Sequence, residues 1–289
     1  MNYSQKNQTK SFFETEAKNW SIKSNFKNKV LNTIQERNYY VLDQLKNLKL
    51  KSLLDVGCGT GDLCYEASKY TANVTGIDFS DNMINLAKNN FNKKNIKFIS
   101  QDFLNHNIDQ KFECISANGF IEYLSIEDIK KFLKVSRKYL KKNGVLIFGS
   151  RNRLFNLYSL NKFSENEIKK KTFKKFYEES ILLNNYKFKN FIKIKKNKFG
   201  KAFFNQPKTG INVDIRHQFS PLQILDLLSS YKYKAIDFHP INFHPVPPSK
   251  FNNSKEFKKF SNSIYFLKEE NKLPYIPYSS SFMVTAKPI

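Results

Sequence analysis

The chain has 289 residues, 40% hydrophobic and 15% aromatic, enough for a packed interior and too apolar for a disordered chain. Lys and Arg number 49 against 25 Asp and Glu, a net charge of 49 − 25 = +24, which favours anionic partners such as nucleic acid, lipid headgroups or acidic metabolites. The polar stretch Met1–Lys10 argues against a signal peptide, and no apolar run approaches the roughly 18–20 residues that span a bilayer, so a soluble, cytoplasmic protein is expected.

Residues 10–48 carry Phe12, Phe13, Ala17, Trp20, Val30, Leu31, Ile34, Val41, Leu42, Leu45 and Leu48 at roughly helical spacing, with no Pro between them. Residues 1–48 are therefore expected as N-terminal helices, with Trp20, Tyr39 and Tyr40 available as a lid. From residue 49 the rhythm changes to short apolar runs alternating with amphipathic stretches, the pattern of βαβ units. Strands are predicted at 51–56, 73–78, 96–100, 112–118 and 144–149. One helix follows Gly61. A second follows Ser80, with Met83, Ile84 and Ala87 facing inward. A third starts at Ser125, where Ser125-Ile126-Glu127-Asp128 approximates a capping box, and is expected to end at Asn143-Gly144. Ser220-Pro221 opens another helix with Ser at N-cap and Pro at N1. Strands near 233–239 and at 281–286 bring the count to seven.

Residues 49–150 thus form one half of an α/β core and 217–289 its C-terminal part. Segments 151–216 and 240–280 read as insertions. Between 160 and 201 there are 13 Lys against 4 Glu, or +9, interleaved with Phe173, Phe176, Tyr177, Tyr186, Phe188, Phe191 and Phe199. The second insertion is rich in Pro and aromatics. Cys58, Cys64 and Cys114 are odd in number and lack metal-ligand spacing, so free thiols and no metal site are expected. The lysines are spread over nearly every segment, so compositional bias explains the charge as simply as an anionic partner does.

The densest chemical signal is Asp55-Val56-Gly57-Cys58-Gly59-Thr60-Gly61. Three glycines between a buried strand and a helix permit a tight turn with the backbone close to a ligand. Asp78 ends the next strand 21 residues after Gly57, where a carboxylate can take both hydroxyls of a ribose. Phe79 can lie against an adenine, and Asp102 ends the third strand. A dinucleotide fingerprint wants Gly or Ala at position 62, but Asp stands there. That carboxylate would repel a pyrophosphate and tolerate a cationic sulfonium.

Leu54–Gly61 resembles motif I of the class I S-adenosylmethionine-dependent methyltransferases, Gly76-Ile77-Asp78-Phe79-Ser80 their acidic second motif, and Gln101-Asp102-Phe103 their adenine-contacting stretch. Phe112–Leu124 resembles the fourth-strand motif, with Tyr123 where many members have His. Leu140–Leu146 is similar to the Leu-Lys-Pro-Gly-Gly turn without its Pro and first Gly, and Ser281–Pro288 to the family's last, antiparallel strand. Within the superfamily the nearest likeness is to small-molecule enzymes of the ubiquinone-biosynthesis O-methyltransferase type.

The resemblance implies an α/β, seven-stranded Rossmann-like sheet of six parallel strands and one antiparallel, with helices on both faces and cap insertions, binding S-adenosyl-L-methionine. It implies Gly57, Cys58, Gly59 and Gly61 beneath the methionine part and Asp55 holding the loop or the amino group. It further implies Asp78 at the ribose, Phe79, Asp102 and Phe103 at the adenine, Met83 at the cofactor, and Asn118 where the fourth strand opens towards the reacting methyl group.

Asn118-Gly119-Phe120 lacks the Pro-Pro of many amine methyltransferases and no Cys follows a Pro, which leaves oxygen or an ordinary amine as acceptor atom. Candidate bases are His217, His239, His244 and Tyr123. Arg151 and Arg153 follow the fifth strand at the sheet's ligand-binding end and are candidate clamps for a substrate carboxylate or phosphate. The expected activity is methylation of a small or carrier-attached acceptor at oxygen. The alternatives are an RNA methyltransferase that uses the basic 160–201 segment and a non-catalytic cofactor-binding scaffold.

Overall fold

The computed structural model describes residues 3–25, 30–194, 216–252, 254–268 and 271–289. Lys195–Lys201 of the basic segment, Phe199 among them, and the remainder of that insertion to residue 215 lie outside the described residues. Two helices open the chain, α1 (Tyr3–Ser24) and α2 (Thr33–Asn47). The alternating part follows as β1 (Ser52–Val56), α3 (Asp62–Ala67), β2 (Asn73–Asp78), α4 (Asp81–Asn90), β3 (Ile96–Ser100), β4 (Phe112–Ala117), α5 (Ile126–Tyr139) and β5 (Leu140–Arg151). The first insertion holds α6 (Lys162–Lys169), α7 (Phe173–Asn185) and α8 (Phe188–Phe191). The chain closes with α9 (Pro221–Ser230), β6 (Tyr233–Phe243), α10 (Pro248–Phe251), α11 (Lys255–Phe266) and β7 (Ser279–Pro288).

All seven expected strands are present in one sheet of order β3-β2-β1-β4-β5-β7-β6. Six run parallel, and β7 alone is antiparallel to both its neighbours. Consecutive strand residues face opposite sides. Leu54, Ile115, Leu146 and Phe282 pack under α5, α7 and α9, while Leu53, Cys114, Val145, Ile147 and Met283 pack under α2, α3 and α11. Both faces are covered, which is why these strands read as continuous apolar runs. Each cluster buries more than a dozen apolar side chains, each worth about 1.5–3 kcal/mol before chain entropy is counted.

The helix starts follow their caps. Ser80 Oγ accepts the Met83 N–H at 3.2 Å and Ser125 Oγ the Asp128 N–H at 3.1 Å. Ser220 and Gln223 form a capping box before Pro221. Two boundaries differ from expectation. Helix α5 ends at Tyr139, not at Asn143-Gly144, because the buried Leu140 already pairs with Phe112; residues 141–144 bulge before Val145 meets Cys114. Strand β6 runs through His239-Pro240 to Phe243, so the second insertion starts later than 240. Proline is tolerated there because β6 is the edge strand and pairs only with β7.

Candidate cofactor and acceptor site

The parallel strands β1, β2 and β4 end at one rim of the sheet, where an open α/β fold leaves a crevice. A cavity of about 280 Å³ lies there. Its wall takes Gly57, Gly59, Asp78, Phe79, Met83, Asp102, Phe103, Asn118, Gly119, Phe120 and Tyr123 from the core, and Lys6, Thr9, Phe13 and Trp20 from α1. Eight of the eleven residues expected at the cofactor therefore border one space, joined by Tyr123.

The floor is the glycine loop. Gly61 has φ +82° and ends the loop as the N-cap of α3; a Cβ there would stand 2.7 Å from Phe98 Cζ and 3.0 Å from Ala87 Cβ. Gly59 has φ +52°, and its missing Cβ would meet nothing nearer than Trp20 Nε1 at 3.4 Å. The loop thus presses against the core on one side and leaves bare backbone towards the cavity on the other. The loop is tied to the second strand. Asp78 accepts the Gly59 N–H at 3.0 Å and the Ser80 N–H at 2.9 Å. Burial pushes its carboxyl up to about 6, against the pull of the N–H groups of Ser80, Gly59 and Phe79.

Asp55, Cys58 and Gly61 do not border the cavity. Asp55 accepts from Ser116 Oγ of β4 at 2.6 Å and is pushed up to about 7, chiefly by burial, so it braces strand against strand. Cys58 Sγ and Cys64 Sγ lie in the core, each 2.9 Å from where a Cβ of Gly76 would be. All three cysteines are buried free thiols.

Helix α1 lies along the open side. Lys6 pairs with Asp102, and the Glu14 carboxylate accepts the N–H groups of Asp81 and Asn82, capping α4. Trp20 packs over Gly59, and Phe13 meets Trp20 and Tyr123 edge-on at 5.5 and 5.4 Å. Near its C-terminal end Ser24 Oγ donates to Asp62 at 2.6 Å. Trp20 stands where a lid would be. Tyr40 does not: its hydroxyl donates to Asp237 at 2.8 Å and lies 2.7 Å from Thr285 Oγ1, under β6 and β7.

The histidines depart from expectation, since none of the three borders the cavity. His239 is half-buried between Tyr40 and Tyr265, ring centroids 5.0 and 4.9 Å away, and loss of solvent with Lys272 nearby takes it down to about 3. His244 sits among Phe155, Phe251 and Asn242, and burial takes it to about 4. Both are held neutral near pH 7, outside the cavity wall. The His217 N–H donates to the Glu122 carbonyl at 2.7 Å behind the cavity. Tyr123 does line the cavity, but burial and Glu122 hold its hydroxyl up at about 12, far from a base working near neutrality.

Arg153 is corrected too. Its Nε and Nη2 donate to Glu167 at 3.0 and 3.1 Å, both residues buried, so its fork is engaged inside the first insertion. Arg151 instead joins a buried cluster with Arg37, Glu122 and Arg216. Burial alone would raise the Glu122 carboxyl, but Arg216, Arg37 and Arg151 outweigh it and hold it down to about 2. Arg37, Glu122 and Arg216 were not singled out in the sequence, because they stand in three unrelated segments and match no spacing rule. In the basic segment, Phe176 and Phe191 are buried and Phe173 and Phe188 pack on the core, which removes most of the expected stacking platform; Tyr177 and Tyr186 remain exposed. No metal-holding cluster of three or more His, Cys, Asp or Glu occurs among the described residues. No helix among them is long and apolar enough to cross a membrane.

A bare-backbone floor, a tethered carboxylate at the rim and an Asn118 Oδ1 that is buried without a hydrogen-bond partner fit a ligand with a polar, cationic end and a ribose. Comparison with known proteins agrees. A family profile described as "Methyltransferase domain" matches residues 47–206. The chain is 34% identical over 135 residues to a ubiquinone biosynthesis O-methyltransferase of Coxiella burnetii, covering 46% of this chain and 57% of that protein. It is 29% identical over 140 residues to a malonyl-[acyl-carrier protein] O-methyltransferase of Acetivibrio thermocellus, covering 48% and 47%. The chain spans about half the length of these curated relatives. In fold it is similar to magnesium protoporphyrin IX methyltransferase of Synechocystis PCC 6803 with bound SAH, TM-score 0.58 at 12% identity over 99% of this chain and 100% of that one.

Proposed function

The chain belongs to the class I S-adenosylmethionine-dependent methyltransferases, and from that premise we propose that it methylates an oxygen of a small or carrier-attached acceptor. The single observation that carries this reading is one cavity whose wall takes in both the glycine loop with Asp78, Phe79, Asp102 and Phe103 and the stretch Asn118, Gly119, Phe120 and Tyr123 after the fourth strand. S-adenosylmethionine, when bound, supplies a methyl carbon on a sulfonium, and an acceptor lone pair forms the new bond as the C–S electron pair leaves on sulfur.

The protein's own part is proximity and exclusion of water. Asp78, pre-set by the loop N–H groups, would receive the ribose hydroxyls; Phe79 and Phe103 would flank the adenine, and Lys6–Asp102 would close α1 over it. Asn118 would orient the reacting end. Choice of oxygen is supported by the two curated relatives, both named as O-methyltransferases.

The test is calorimetric binding of S-adenosylhomocysteine. Asp78→Ala should weaken it about tenfold or more, the loss of one or two hydrogen bonds to a carboxylate. Absence of binding to the parent protein refutes the reading, and unchanged affinity in Asp78→Ala refutes the ribose assignment.

A further inference from the structure

The cluster behind the acceptor end is not explained by methyl transfer to a neutral hydroxyl. Arg37 of α2 is 8% exposed and donates through Nη2 to Ser281 Oγ at 2.8 Å. Its Nη1 lies 3.0 Å from where a Cβ of Gly119 would stand, and Gly119 is cavity wall. The guanidinium thus stands directly behind a wall position that offers no side chain. Arg216 comes from the segment before α9. It donates through Nη2 to Glu122 Oε1 at 2.7 Å and lies over the ring of Tyr123, another wall residue, at 5.2 Å. The Nε atoms of both Arg37 and Arg216 are buried without a hydrogen-bond partner.

Two guanidiniums, Arg37 at 3.8 Å and Arg216 at 2.7 Å, share the carboxylate of Glu122, and the charge of Arg151 also acts on it. A structural ion pair needs one. Buried donors left without acceptors are costly, and so is a second buried cation sharing one carboxylate. Both costs fall if the site receives an anion when it works. None of the candidate histidines borders this space.

We infer that the acceptor's reacting group is an oxyanion, carboxylate or phosphoryl, held beside the bound cofactor by the forks of Arg37 and Arg216 at the Asn118–Tyr123 end of the cavity. This rests on the methyltransferase reading and narrows its substrate class. Such an oxygen is already deprotonated, so no proton has to leave. Its lone pair forms the O–CH3 bond while the C–S bond breaks and its pair stays on sulfur, giving a neutral thioether and an ester with one negative charge fewer than the acceptor. The ester has lost charge that the forks held, which favours its release.

The test uses the full chain saturated with S-adenosylhomocysteine and follows the fluorescence of Trp20, the only tryptophan and a cavity residue. The probes are octanoate, octylphosphonate and the neutral octanamide. At least one oxyanion should bind, with the amide about tenfold weaker or worse. Arg216→Gln and Arg37→Lys should each lower oxyanion affinity about tenfold while S-adenosylhomocysteine affinity stays within about twofold. If Arg216→Gln does not fold, Arg37→Lys carries the test, because it keeps a charge beside Glu122 and loses only the fork. Preference for octanoate or octylphosphonate identifies the oxyanion. Equal binding of octanamide, binding of neither oxyanion, or unchanged affinity in Arg37→Lys overturns the inference and leaves the methyltransferase reading intact. Failure of S-adenosylhomocysteine itself to bind overturns both.

Discussion

Replacing Gly61 and Gly59 by alanine, one at a time, separates the two jobs of the loop. Both have positive φ, so either alanine bears about 1–2 kcal/mol of left-handed backbone cost. At Gly61 the new Cβ also meets Phe98 at 2.7 and 2.9 Å and Ala87 at 3.0 Å, in a packed layer that cannot give way without moving a ring. Overpacking of that kind adds about 1–3 kcal/mol, for a total near 2–5 kcal/mol. At Gly59 the nearest atoms are Trp20 Nε1 at 3.4 Å and Cδ1 at 3.5 Å, ordinary contact, so only the backbone cost is expected. That methyl, however, stands in the cavity wall. Gly61→Ala should therefore lose more stability, by about 1–3 kcal/mol, seen as a melting temperature lower by about 2–4 °C per kcal/mol. Gly59→Ala should be the weaker binder of S-adenosylhomocysteine when both are measured well below their melting points. Thermal unfolding and calorimetry on the same preparations read out both. Equal melting temperatures, or weaker ligand binding in Gly61→Ala than in Gly59→Ala, would refute the account of a loop packed on one side and bare on the other.

Three other outcomes follow from the same contacts. Ligand affinity should fall as pH drops through about 6, where the raised Asp78 carboxyl takes a proton, and Asp78→Asn should flatten that profile in calorimetry. Arg153→Ala leaves Glu167 buried without its bidentate partner, so urea unfolding should show a loss of about 3–5 kcal/mol, and much of it should return in Arg153→Met with Glu167→Leu. His239, held at about 3 against an ordinary 6.5, is neutral when folded and takes up a proton on unfolding below pH 6.5. Its stabilising share is complete above pH 6.5 and is lost as pH falls towards 3. His239→Phe should accordingly reduce the slope of unfolding free energy between pH 4 and 6 by up to about 1.4 kcal/mol per pH unit, and an unchanged slope would exclude the neutral histidine.

Local sequence determined a great deal of this protein. The central strands were visible as apolar runs because both sheet faces are covered there, and the starts at Ser80, Ser125 and Ser220 because a cap is satisfied within three residues of itself. The Gly57–Gly61 turn and the Asp78 carboxylate were legible for the same reason: strand, turn, helix and strand occupy a fixed length of chain, so the spacing survives as a signal. The end of α5 was misplaced because Asn143-Gly144 imitates a helix stop, while the pairing of Leu140 with Phe112 is made across the sheet.

The tertiary structure alone decided the rest. Only docking put Lys6, Phe13 and Trp20 of the polar α1 on the cavity, withdrew His239 and His244 into aromatic surroundings, and spent the fork of Arg153 on Glu167. The same holds for the meeting of Arg37, Arg216 and Glu122. Arg216 and Glu122 are 94 residues apart and Arg37 and Ser281 are 244 apart. Their juxtaposition is set by the order of strands in the sheet, which no period or motif within a segment encodes. The glycine loop and Asp78 sit within 24 residues of chain and can be read there; the Arg37, Glu122 and Arg216 cluster is assembled from distant pieces and exists only once the sheet has closed.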